Sequence, residues 1–128
     1  MVGMLLVSHS RRLADGLREL IQQLAGDTLA LGTAGGQETL GADAGMVVKE
    51  FEHLRALGCE AILVFGDLGS AFIAAETARD LLGDGVEIRI VDAPFVEGSV
   101  AAAMALTTGG GVDDAVEAAQ EAYEIRKL

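Results

Sequence analysis

The stretch AILVFGDLGS, residues 61–70, decides the fold. Ala61 to Phe65 is apolar at every position, so a strand built from it needs cover on both faces, the setting of a central strand in a parallel sheet. Gly66-Asp67-Leu68-Gly69 breaks the run with turn-forming residues. From Ser70 the spacing predicts a helix to Leu82, with Ala71, Ala74, Ala78 and Leu81 facing inward. In that setting Ser70 reads first as the helix cap, and Asp67 as either a cap, a turn former or a site residue.

The same alternation extends in both directions. Upstream, Val2 to Val7 reads as a buried strand ending at the polar Ser8. A helix follows with Leu13, Leu17, Leu20, Ile21 and Leu24 on one face, stopped by Gly26. Thr28 to Ala34 reads as a second strand, and the glycine-rich run GTAGGQETLG (residues 32–41) leads to a helix. Ala44, Val47, Phe51 and Leu54 give that helix its buried stripe, and Gly58 ends it. Downstream, Val86 to Val91 alternates apolar and charged residues, as a strand nearer a sheet edge does. Glu97 to Thr107 is a helix of small residues, its Ala101 to Ala105 stretch suited to close packing or a dimer contact. Gly109-Gly110-Gly111 breaks the chain before a terminal helix from Asp113 onward. Strand–helix alternation of this kind predicts an α/β fold: an open, mainly parallel, doubly wound sheet of about four strands, flanked by helices on both faces. With no internal repeat and no linker, residues 1–128 are expected to form one domain.

Composition excludes several classes of function. Twenty acidic residues against nine basic ones give a formal charge of −11, which repels nucleic acid and anionic membrane surfaces. No apolar run reaches the roughly 20 residues of a membrane-spanning helix, and no basic leader precedes the first strand, so the expected location is the cytoplasm. Cys59 is the single cysteine, so no intrachain disulfide can form, and two distant histidines do not suggest a metal cage. No metal site is expected. His53 lies among Glu50, Glu52 and Arg55 and reads as a surface residue.

In an open α/β sheet, ligands gather beyond the carboxyl ends of the strands. Three loops meet that description: Ser8-His9-Ser10-Arg11, the glycine-rich run with Thr39, and Gly66 to Ser70. A neutral imidazole is a nucleophile near pH 7, since an ordinary histidine titrates at about 6.5. His9 therefore stands as the candidate nucleophile, placed before a helix whose free N–H groups favour an anion. Asp67 is the candidate that fixes the ring's tautomer by holding its other proton. Ser8, Ser10 and Ser70 offer hydroxyls, Gly35, Gly36 and Gly69 let backbone amides approach phosphate oxygens, and Thr39 is a further candidate contact. Arg11 and Arg12 form the one basic pair close by. No G-x-x-x-x-G-K-[ST] loop and no G-x-G-x-x-G fingerprint after the first strand is present. A phosphoryl group would then come from other proteins and leave to others.

At these residues the chain resembles a known family. Val7-Ser8-His9-Ser10, LGAD at 40–43, GDLGSAFIAAETA from Gly66 to Ala78 and APFVEGSVAA from Ala93 to Ala102 occur in the order found in the phosphotransfer subunit of the phosphoenolpyruvate-dependent dihydroxyacetone kinase, a domain of the mannose-family IIA fold. The resemblance implies that His9 takes a phosphoryl group from the histidine phosphocarrier protein and passes it to ADP on the kinase's nucleotide-binding subunit. It implies a homodimer, and no bound cofactor, the phosphoryl group itself being carried on His9 beside Asp67. Some relatives carry phosphocarrier and enzyme I-like domains in the same chain. Ala42 departs from the family's pattern, where a Thr is expected, and Thr39 or backbone amides would replace its contact. Ser10 after the histidine favours the dihydroxyacetone branch over the sugar-transporting one, which tends to have glycine there. A sugar-specific IIA domain and a non-catalytic small-ligand sensor on the same scaffold are the competing readings.

Overall fold

The computed structural model describes residues 1–36 and 43–128. Thr39, and Leu40, Gly41 and Ala42 of the LGAD stretch, lie outside the described residues. Among the described residues, nine elements carry the fold: β1 (Val2–Ser10), α1 (Arg11–Ala25), β2 (Ala30–Gly36), α2 (Ala44–Ala56), β3 (Ala61–Gly66), α3 (Gly69–Leu82), β4 (Glu87–Ile90), α4 (Phe95–Thr107) and α5 (Val112–Glu121). A short 3₁₀ turn, Ala122–Glu124, follows them. The strands form one sheet in the order β2-β1-β3-β4, and every pairing is parallel. The chain passes from β1 outward to β2, then back across β1 to β3. Strand order therefore reverses at β1, and the crevice for a ligand opens between the carboxyl ends of β1 and β3.

Because side chains alternate along a strand, the sheet's two faces take different residues from the same strands. Met4, Leu6, Leu63 and Phe65 pack on one face against Ala14, Leu17 and Ile21 of α1 and the alanines of α4 and α5. Leu5, Val7, Ile62 and Val64 pack on the other against Val47, Phe51 and Leu54 of α2 and the alanines of α3. The parallel register places Leu5 beside Val64 and Leu6 beside Phe65. Both central strands are thus buried on both faces, which is why AILVF has no polar position.

The structure moves several boundaries and faces. β1 continues past Val7 to Ser10, because Ser8 pairs with Gly35 and its side chain finds a partner inside the fold. β2 spans Ala30–Gly36 rather than 28–34, so two glycines expected in the connection belong to the strand. A Cβ on Gly35 would stand 2.9 Å from the Cα of Arg11, so only a glycine strand end fits under the start of α1. In α3, Ala75 is buried and Leu81 is 68% exposed, a correction to the inward face. Ala71, Ala74, Ala75 and Ala78 complete the helical stripe, and Leu81 falls off its edge. On α1 the small Ala14 faces the sheet, which turns Leu13, Leu20 and Leu24 outward.

These faces give a stability prediction. Phe51→Ala, which empties a fully buried position between α2 and the sheet, is expected to cost about 3–5 kcal/mol. Leu81→Ala is expected to stay within about 0.5 kcal/mol. Urea unfolding of both variants, followed by circular dichroism, checks the assignment.

Candidate functional site

β1 ends in an irregularity. Ser8 pairs with Gly35 and Ser10 with Gly36, so His9 is an extra residue between two ladder positions of β2. Such a bulge turns a side chain out of the ladder, and bulges recur beside active sites. Ser10 then caps α1, its Oγ accepting a hydrogen bond from the Leu13 amide at 3.2 Å. His9 is thus clamped between a strand end and a helix start, with its side chain 34% exposed at the sheet's rim.

The loop after β3 reaches the same point. Asp67 Oδ2 accepts from the Ser8 hydroxyl at 2.7 Å and from the His9 amide at 3.1 Å, and Oδ1 accepts from the Leu68 amide at 2.7 Å. The Ser8 oxygen in turn accepts from the Ser10 amide at 2.9 Å. His9 Nδ1 lies 3.7 Å from Asp67 Oδ1. That distance is too long for a direct hydrogen bond, yet close enough for a nearly buried carboxylate to attract a proton on that nitrogen. Asp67 therefore holds the backbone of His9 rather than gripping its ring, which modifies the role expected from the sequence.

Ser70 also reaches the ring, with Oγ 2.6 Å from Nε2 and 3.3 Å from Nδ1. It is not the helix cap. Leu68 occupies that position without a side-chain bond, and the Ser70 hydroxyl is left for the imidazole. The roles in this contact depend on the ring's tautomer: with the proton on Nδ1, Nε2 keeps its lone pair and accepts from Ser70. Ser70 belongs to the first turn of α3, whose opening amides lack intrahelical partners and favour an anion.

The remaining candidates divide. Gly69 stands at the first turn of α3 with open space where a side chain would be. Gly35 and Gly36 are buried at the end of β2, and for Gly35 the close approach of Arg11 is a sufficient reason for glycine. The hydroxyl of Ser8, fully buried, serves Asp67 and not a ligand. Arg11 sits 3.6 Å from Asp15 on the exposed face of α1. Leu68, which precedes α3, and Ile73, one turn into it, are apolar yet 58% and 66% exposed. Cys59 lies buried, and burial pushes its thiol pKa up, so it is no rival nucleophile.

Comparison with known proteins bears on this geometry. Residues 3–116 match the EIIA-man family, described as the phosphotransferase system fructose IIA component. The chain is 37% identical to the phosphoryl donor subunit DhaM of the PEP-dependent dihydroxyacetone kinase of Klebsiella michiganensis, with 100% of this chain and 28% of the relative covered. It therefore spans little more than a quarter of that relative's length. It is 38% identical to the corresponding subunit of kinase 2 of Listeria innocua, over 81% of this chain and 85% of the relative. The DhaM phosphotransferase subunit of Lactococcus lactis is 31% identical, with 98% of both chains covered. A crystal structure of a protein of unknown function superposes with a TM-score of 0.84 at 32% identity, over 94% of this chain and 93% of that one. The phosphotransferase system component EIIA of Streptococcus agalactiae, at 19% identity and a TM-score of 0.69 over 99% and 97%, shares the fold.

The Asp67 node can be tested directly. Ser8→Ala leaves a nearly buried carboxylate oxygen without its hydroxyl donor and is expected to lower stability by about 1–3 kcal/mol. The same change should broaden or shift the His9 amide resonance. A wild-type unfolding curve together with an unmoved His9 amide would contradict the network.

Proposed function

Since the chain belongs to the EIIA-man family, among the phosphoryl donor subunits of dihydroxyacetone kinase, we propose that it is a phosphohistidine relay working through Nε2 of His9. The observation that carries the reading is the imidazole at the reversal of strand order, with Nδ1 toward Asp67 and Nε2 toward Ser70. The Nε2 lone pair attacks the phosphorus of a donor's phosphohistidine. A new N–P bond forms, the donor's N–P bond breaks, and its electron pair returns to the donor imidazole. Positive charge appears on the His9 ring in this step, and the Asp67 carboxylate at 3.7 Å stabilises it. The Ser70 hydroxyl rotates off Nε2 to donate to a phosphoryl oxygen, joined by the first amides of α3. In the second half-reaction a β-phosphate oxygen of ADP attacks the same phosphorus and frees the imidazole.

The donor in this reading is the histidine phosphocarrier protein, and the acceptor is ADP held by the kinase's nucleotide-binding subunit. Residues 1–128 act as one phosphotransfer domain, as a homodimer and in the cytoplasm, where those partners would meet it. No helix of the described residues is long and apolar enough to cross a membrane. The chain needs no resident cofactor beyond the phosphoryl group on His9. Gly69 and Ser70 serve that group most directly; Ser10, Gly35, Gly36 and Thr39 are assigned to its outer contacts.

Incubation with phosphoenolpyruvate, enzyme I and the phosphocarrier should add the mass of one phosphate in acid-labile form, and His9→Ala should abolish it. Labelling of His9→Ala at the wild-type level would reject the relay. Ser70→Ala should retain labelling but slow transfer by about 10- to 100-fold, the worth of one hydrogen bond to a charged group. Stopped-flow or quench measurements of the transfer rate decide this.

A further inference from the structure

A carboxylate turns readily about its last bond, so a ring 3.7 Å away meets a defined charge only where other donors fix the carboxylate plane. Three donors do so at Asp67. The Leu68 amide meets Oδ1 at 2.7 Å, the His9 amide meets Oδ2 at 3.1 Å, and the Ser8 hydroxyl meets Oδ2 at 2.7 Å. The Asp67 amide itself donates to the Val7 carbonyl at 3.3 Å, which ties the loop to β1 one residue short of Ser8. Among the described residues, Ser8 is the one side-chain donor to this carboxylate, and its bond is the shorter of the two on Oδ2.

The Ser8 hydroxyl has little choice of partner. It is fully buried, so water does not compete for it. One lone pair accepts from the Ser10 amide at 2.9 Å, and its single proton goes to Asp67. Ser10 lies just past the irregularity in β1 and caps α1. One hydroxyl thus connects the residue after His9 to the carboxylate beside the ring. Ser99 offers a contrast as the other buried polar side chain among the described residues. Its hydroxyl donates to the Phe95 and Val96 carbonyls of its own helix, an ordinary way to satisfy a buried serine. Ser8 instead reaches a charged group 59 residues away in sequence.

We propose that Ser8 is a positioning residue of the relay. Its bond to Oδ2 holds the Asp67 carboxylate in a fixed plane beside the imidazole, which keeps the ring proton on Nδ1 and leaves the Nε2 lone pair free to attack. Without the hydroxyl each carboxylate oxygen keeps a single amide donor. The carboxylate then swings, the two ring nitrogens share the proton more evenly, and fewer molecules present an unprotonated Nε2. The effect on rate rests on the relay reading; the effect on the ring does not.

Two measurements test this. Nitrogen-15 shifts of the His9 imidazole, taken on the unphosphorylated protein in alkaline buffer, report which nitrogen carries the proton. The Nδ1–H form should predominate in the wild type, and Ser8→Ala should move the population toward Nε2–H. Quench-flow rates of phosphoryl transfer from the phosphocarrier protein should fall about tenfold in Ser8→Ala, the worth of one hydrogen bond to a charged group. In an Asp67→Ala background the same change should leave the tautomer unmoved and cost less than about twofold in rate, because its partner is gone. Rates are compared where circular dichroism shows each variant folded. If Ser8→Ala does not fold, Ser8→Cys, whose thiol fills the space but donates weakly, replaces it with smaller changes of the same sign. Equal losses in both backgrounds would make Ser8 a purely structural residue, and a wild-type rate or an unmoved tautomer would remove it from the site; each overturns the proposal. A wild type that takes no phosphoryl group would sink the relay, and the rate effect with it, while the tautomer shift would still support the hold of Ser8 on the ring.

Discussion

A single carboxylate joins the two central strands at the end where chemistry is possible. Asp67, in the loop after β3, accepts from the hydroxyl of Ser8 and the amide of His9 at the end of β1. Its other oxygen accepts from the amide that opens the turn into α3. Hydrogen bonds to an ionised acceptor are about twice as strong as neutral ones. This node therefore fixes the relative position of two chain segments nearly sixty residues apart in sequence. The orientation of His9 and the nearness of Ser70 both depend on it. The arrangement answers a problem intrinsic to parallel sheets, whose strand ends are linked only through long crossovers and need a local tie if a site is to be built between them.

Small residues make the rest of the scaffold tight enough to support that tie. α3 meets the sheet through four alanines, and α4 and α5 meet it and each other largely through alanine and glycine. At Gly98 a Cβ would come within 2.7 Å of the Ala93 side chain, so α4 sits against the preceding loop with no room for anything larger. Gly66 is similar, its missing side chain accommodating Phe72 and Ala71 at the first turn of α3. Close packing of this kind allows little rotation of the helices, and the first turn of α3 carries Ser70 to the imidazole.

Around the site the surface is not uniform. The molecule is strongly acidic, yet Arg11, Arg18 and Lys49 line a cleft beside β2 together with Asp15 and Glu50, while Leu68 before α3 and Ile73 within it are exposed.

How much of this was legible beforehand varies with the physical origin of each feature. The sequence by itself determined the fold class and nominated a candidate site. Uninterrupted apolar runs at β1 and β3 demand burial on both faces, the alternation of strands with amphipathic helices demands parallel crossovers, and the polar loops then collect at one edge. His9, Asp67 and Ser70 could be nominated because each follows a strand in that scheme. Tertiary structure alone decided their roles. Whether Ser70 caps its helix or meets an imidazole depends on where β1 ends, and that depends on a bulge at His9 that no local propensity encodes. Leu81 turns outward because α3 meets the sheet through alanines, and Leu13, Leu20 and Leu24 because α1 meets it through Ala14, Leu17 and Ile21. Apolar periodicity reports that a helix has a buried side; only contact with the neighbouring layer selects which residues occupy it.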